Sequence, residues 1–168
     1  AQHDHATAIG QLRMRNCSIP VLIDGLLLEA ERGAQPVDHG RRVVVNGGTS
    51  TYAGLARAYE RSTAAHSTVE VAGQNSSEVW SSFRAGRRAR VELIEIDEQA
   101  GAIGVSASHD GYRFLPGRPR HHRTWRLETG RFAIEDRIDG RETPAVARFH
   151  LHPGVEPDGD VLRLPDGV

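Results

Sequence analysis

Lysine is absent: all 21 basic residues among the 168 are arginine. Guanidinium favours bidentate binding of carboxylates and sulfates. Codon bias produces the same composition, so the absence alone does not choose between a ligand preference and a genomic one. The single cysteine, Cys17, excludes an internal disulfide framework and leaves the redox compartment open. A lone thiol of this kind reads as packing. Long apolar runs are missing too: the most apolar window, Ile19 to Leu28, is broken by Pro20, Asp24 and Gly25 and is too short to span a bilayer. No basic region, apolar core and cleavage site follow one another at the N-terminus, so no signal peptide is visible. Nor is there a charge excess, because 22 acidic residues leave a net charge of −1. No global field draws the chain to nucleic acid or to a membrane, and neither is expected as a partner.

What is present is a set of short alternating strands with Gly-rich turns in a chain of one-domain length. Val43 to Val45 is a brief apolar run closed by Asn46-Gly47-Gly48, and Thr68 to Val71 stops at Ala72-Gly73. Strands are predicted at Ala89 to Ile96 and Ala102 to Ala107 around a turn at Glu98 to Gly101. A second hairpin joins Arg123–Leu127 to Phe132–Asp136 through Thr129-Gly130. The last strand puts Ala145, Ala147, Phe149 and Leu151 on one face and Val146, Arg148, His150 and His152 on the other, before Pro153 ends it. Between Tyr52 and Thr63, the spacing of Leu55, Ala58 and Tyr59 predicts a turn or two of helix. The pattern predicts an all-β, antiparallel β-sandwich with a poorly defined N-terminal segment, and with Val43 to Val45, Val69, Val71, Val91, Trp125, Phe149 and Leu151 in its core. Residues 1–40 show no pattern that supports regular pairing. Leu22 to Leu28 reads as a helical turn or a strand, and Glu31 to Gly40 as linker.

The stretch with the most chemistry runs from Val43 to Arg90. It holds Asn46-Gly47-Gly48-Thr49-Ser50-Thr51-Tyr52, Arg61-Ser62-Thr63-Ala64-Ala65-His66-Ser67-Thr68-Val69 and Ser77-Glu78-Val79-Trp80 through Phe83-Arg84 to Arg87-Arg88-Ala89. Together with His109-Asp110-Gly111-Tyr112, His122-Arg123-Thr124-Trp125 and Arg148-Phe149-His150-Leu151-His152-Pro153, these motifs resemble the C-terminal β-sandwich region of the heparinase II/III-like polysaccharide lyases. Those are bacterial enzymes that cleave acidic polysaccharides by elimination. The resemblance covers residues 41–153. It leaves 1–40 as a poorly matched segment or insertion and 154–168 as a tail truncated relative to the family. It implies a supersandwich-like fold and a larger enzyme, periplasmic or secreted, whose helical toroid domain lies N-terminal to this region.

Elimination on a uronate needs a base for the proton at C5, neutralisation of the adjacent carboxylate and an acid for the leaving oxygen. By resemblance the helical domain supplies the catalytic Tyr and the carboxylate-binding groups. The sandwich adds a catalytic His, matched by His3, and a structural zinc site matched by His5, Asn46 and His66. Asn46 stands where the family has Asp, and Thr7 replaces the Asp of the family's His-x-His-Ala-Asp motif. An amide is a poorer zinc ligand than a carboxylate. Tyr52, Arg61 and Arg84 are the expected substrate-binding residues, for a glycosaminoglycan or an exopolysaccharide. The alternative function is a non-catalytic β-sandwich that binds carbohydrate or packs against a partner domain.

Other residues have bland readings beside functional ones. His150 and His152, two apart on a strand, could chelate a metal or form an outward polar pair. His121-His122 reads as loop. Arg84, Arg87, Arg88 and Arg90, preceded by Trp80 and Phe83, could stack on and bind an anionic sugar. They also read as a solvated sheet face paired with Glu92 and Glu95.

Overall fold

The computed structural model describes the backbone of residues 7–14, 19–26, 37–38, 41–128, 130–158 and 161–163, and the side chains of residues 43–128 and 131–156. His3, His5 and Cys17 lie outside the described residues. In chain order the elements are β1 (Thr7–Met14), β2 (Ile19–Leu26), β3 (Val37–Asp38), β4 (Arg41–Arg42), β5 (Val44–Val45), helix α1 (Gly54–Glu60), a 3-10 turn at Thr63–Ala65 and β6 (Val69–Val71). Then follow β7 (Val91–Gln99), β8 (Ala102–His109), β9 (Arg120–Glu128), β10 (Gly130–Asp139), β11 (Thr143–Leu151), β12 (Glu156–Asp158) and β13 (Val161–Arg163). Among the described residues no helix is long and apolar enough to cross a membrane.

Two antiparallel sheets form the sandwich. One is built on β11, which pairs with β1 along one edge and with β5 and β6 along the other. The second runs β2-β10-β9-β8-β7. Alternation decides which side chains go inward: Ala145, Ala147, Phe149 and Leu151 of β11 are all buried, and they meet Phe132, Ile134 and Ile138 of β10 in one cluster. Val43, Val44, Val69 and Val71 close that cluster, with Trp125 and Leu127 packed against it. Tyr112 is buried there as well, and its hydroxyl donates to the Val69 carbonyl. The β7–β8 turn needs the positive φ of Gly101, +82°, which costs glycine nothing.

Three expectations are corrected. Val91 is 75 % exposed, because β7 is the edge of its sheet and Leu93, Ile94 and Ile96 on the same strand are exposed with it. Helix α1, by contrast, forms where the spacing of Leu55, Ala58 and Tyr59 predicts it, and none of its residues is buried. Residues 1–40 do contain regular pairing, since β1 runs antiparallel to β11 and β2 to β10. The small β3–β4 ladder lies where a linker was expected.

Candidate functional site

Asn46 and His66 are twenty residues apart in sequence, and the shared edge of β11 brings them together. β5 takes the His150–Leu151 end of that edge and β6 the Ala145–Ala147 end. The chain that leaves β5 at Asn46 therefore returns into β6 beside the same point. Ser67 ties the junction: its hydroxyl donates to the Val45 carbonyl at 3.1 Å and accepts from the His150 amide at 3.0 Å. Next to it, His66 Nδ1 lies 2.8 Å from Asn46 Oδ1. An amide oxygen can only accept, so Nδ1 carries the proton and Nε2 keeps the lone pair. Burial, and then the neighbouring His150, lower the His66 pKa from its ordinary value. The imidazole is accordingly neutral at neutral pH.

The loop from Asn46 to Thr51 and helix α1 add charge around this pair. Arg57, Glu60 and Arg61 fall at i, i+3 and i+4, one side of the helix. Arg57 donates to Thr49 Oγ1 at 3.1 Å and to the Ser82 carbonyl at 3.4 Å. Arg61 donates to the Ser81 carbonyl and, at 3.3 Å, to that of Arg84. Glu60 accepts from the Ser50 amide at 2.8 Å and from its hydroxyl, and these bonds hold its carboxyl below the usual range. Together with Arg88 these residues line an open groove of about 550 Å³. Three guanidinium groups face one committed carboxylate, so the groove is cationic.

The expected site residues are partly gathered. His66, Asn46 and Arg61 line the groove. Tyr52 sits at its margin, with the Arg57 guanidinium 5.8 Å from its ring centroid. Arg84 is exposed and contributes its carbonyl to Arg61. Arg88 comes from the arginine run read as a possible sugar-binding stretch, whereas Thr49 and Glu60 were not anticipated; the i, i+4 spacing of Arg57 and Arg61 was the available signal. The arginine run is no uniform solvated face: Arg87 donates to the carbonyls of Ser76 and Gly111 and lies 3.7 Å over the Phe114 ring. Glu92 pairs instead with Arg120 at 2.9 Å.

Beneath the groove lies a polar network inside the sandwich. Asp136, fully buried, accepts from Arg123 Nε at 2.6 Å and NH2 at 2.8 Å, and from His121 Nε2 at 2.6 Å. His121 Nδ1 lies 3.0 Å from His109 Nε2, and the Gly111 amide donates to His109 Nδ1 at 3.2 Å. Each imidazole thus serves once as donor and once as acceptor. The third guanidinium nitrogen of Arg123, NH1, donates to the Ser67 carbonyl, gripping the residue that follows His66. His121 and His122 therefore belong to β9 rather than to a loop. His150 is also buried, with Nε2 at 3.2 Å from the Ala64 carbonyl, whereas His152 is exposed. They do not form an outward pair.

This network predicts acid lability. Burial, and then the His121 and arginine charges, push the His109 pKa down to about 4 against the partial opposition of Asp110. The unfolded chain, with histidine near its ordinary value, binds more protons between that value and about 4. Stability is then complete above pH 6.5 and falls as pH drops to 4, by about 3 kcal/mol from this group. Asp136 works in the same direction at lower pH. Hydrogen bonds from His121 and Arg123 outweigh burial and lower its pKa, so its contribution is lost as pH falls below the ordinary aspartate range. Urea unfolding at pH 7, 5.5 and 4 measures the slope, and His109→Gln should flatten its upper part.

As a metal site the described donor set is one imidazole and one amide already in contact with each other. Structural zinc sites take four ligands, mostly thiolate, imidazole or carboxylate. Among the described residues no group of three His, Cys, Asp or Glu is placed to hold an ion. The described residues alone do not fit zinc.

No curated protein and no solved structure matches the chain. The family described as Heparinase II/III-like, C-terminal matches residues 37–167, a span that takes in the groove, the buried network and the segment after Pro153. A match over most of the sequence, on a two-sheet antiparallel sandwich, places the chain in the heparinase II/III-like C-terminal family.

Proposed function

We propose that this chain is the sandwich domain of a polysaccharide lyase that cleaves acidic, uronate-containing glycans by β-elimination. The observation that carries the reading is the cationic groove of Arg57, Arg61 and Arg88 around the Asn46–His66 pair, in a chain of this family. Guanidinium forks suit the carboxylates and sulfates of such glycans. In this reading the groove holds the anionic groups of sugars beside the scissile bond. A helical partner domain supplies the Tyr and the groups that neutralise the reacting uronate. His3 is the proposed catalytic His of this chain. A zinc ion on Asn46 and His66 would need His5, outside the described residues, and a further ligand, and the enzyme would act in the periplasm or outside the cell.

Titration with heparan sulfate and alginate oligosaccharides by calorimetry tests the groove. Arg88→Ala, at an exposed position, should weaken binding about tenfold, and binding should weaken further as salt is raised. Equal affinity for a neutral glucan would overturn the reading. A domain-packing role has its own support in β7, whose exposed Val91, Leu93, Ile94 and Ile96 form the kind of apolar edge that a further domain covers. The two readings are compatible if β7 packs on the helical domain.

A further inference from the structure

Trp80 is 66 % exposed, yet its position is fixed. It stands on an irregular hairpin between Glu78 and Arg87, closed by Glu78 N–H to the Arg87 carbonyl at 2.7 Å, Gly86 N–H to the Glu78 carbonyl at 2.9 Å, and Trp80 N–H to the Arg84 carbonyl at 3.2 Å. The six-membered ring of the indole lies over Gly86. A Cβ there would come within 2.8 Å of Cζ2 and 2.9 Å of Cε2, so only glycine leaves room. The Glu78 carboxylate lies beside the same point, 2.8 Å from where that Cβ would stand, and the neighbouring Trp80 side chain, then the Arg87 amide, lower the pKa of that acid. Ring and hairpin are therefore held while much of the ring surface stays open to water.

The hairpin is anchored at both ends. At its base Arg87 is clamped by backbone carbonyls and by Phe114. At its tip Arg57 and Arg61 donate to the carbonyls of Ser81, Ser82 and Arg84. Phe83 is 73 % exposed and stacks on Tyr52 with ring centroids 6.2 Å apart and planes 16° apart. An exposed large aromatic gains little for folding, so restraining several of them beside a cationic groove calls for another explanation. The apolar C–H face of a pyranose packs on such a ring, and a ring already immobilised loses little entropy on binding.

Resting on the lyase reading, we infer that the Glu78–Arg87 hairpin is a second binding element, on which Trp80 stacks a sugar of the same acidic glycan whose charged groups lie in the groove. Glu78 and Gly86 are positioning residues for that ring. Arg84, exposed on the hairpin, supplies charge complementarity to the flanking sugar.

The test uses the full chain with alginate and heparan sulfate oligosaccharides, reading tryptophan emission and affinity together. Trp125 is the second tryptophan and is partly buried, so the Trp80→Phe chain reports its signal alone. The expected result is an emission change on binding that Trp80→Phe abolishes, with an affinity loss of about tenfold in Trp80→Ala and little loss in Trp80→Phe. Gly86→Ala, which keeps the indole but displaces it, should lose affinity as Trp80→Ala does. Unchanged affinity in Trp80→Ala and Gly86→Ala, while Arg88→Ala still weakens binding, would overturn the hairpin element and leave the groove standing. Loss in neither set would remove both. Concentration-dependent self-association abolished by Trp80→Ala, with glycan affinity intact, would assign the surface to a second copy and overturn the inference.

Discussion

Asp136→Asn is expected to destabilise the domain by about 3–5 kcal/mol, a large part of the stability of a single domain. Asp136 is fully buried and accepts from Arg123 Nε and NH2 and from His121. The asparagine side chain has nearly the same shape, so the change removes charge without opening a cavity. It leaves the Arg123 cation at the 9 % exposed position without its counterion. A buried cation so orphaned keeps its desolvation cost and loses the attraction that offset it. Urea unfolding at pH 7 measures the loss. The contrast is Glu92→Gln, which breaks the exposed pair with Arg120 and should cost under about 1 kcal/mol. Because Arg123 also grips the Ser67 carbonyl, whatever Asp136→Asn protein remains folded should bind glycan more weakly than Glu92→Gln. Equal midpoints for the two variants would show that the network is not the support assigned to it.

The second large effect is on catalysis. Tested alone, the 168-residue chain is expected to release no measurable unsaturated uronate from heparan sulfate, alginate or a bacterial exopolysaccharide, with or without added zinc. Elimination requires base, acid and carboxylate neutralisation within hydrogen-bond reach of one sugar. The groove assembles cations and a neutral imidazole, but the family resemblance assigns the Tyr and the neutralising groups to a helical domain. Loss of one member of such a set costs orders of magnitude, and members acting as a unit are not additive. The assay is absorbance of the unsaturated product. Robust turnover that disappears in His66→Ala would instead put a complete active site within these residues.

Legibility followed the range of the interactions involved. The inward face of β11 could be read because period-two alternation is local, and Ala145, Ala147, Phe149 and Leu151 are buried. Val91 looked equally apolar and is exposed, because burial depends on a facing layer and β7 is an edge. The pairing of β1 and β2 escaped notice for a similar reason: their partners, β11 and β10, lie more than a hundred residues on. His121 read as loop because a run of polar residues has no apolar period. Its inward position follows from three-strand register, with His109 opposite His121 and Arg123 opposite Asp136.

By itself, then, the sequence determined the all-β class, the strands from β5 to β11 and the family. These are written in alternation, turn residues and contiguous motifs, all of which survive without knowing what packs on what. Tertiary structure decided which apolar residues have a covering sheet, how β11's edge joins Asn46 to His66, and how Arg123 and Asp136 hold that junction from the far sheet. It also decided that Trp80 rests on Gly86 in the open. Each of those depends on a contact between segments whose separation along the chain carries no local signal, and burial, pKa and ring orientation are set only when such contacts form.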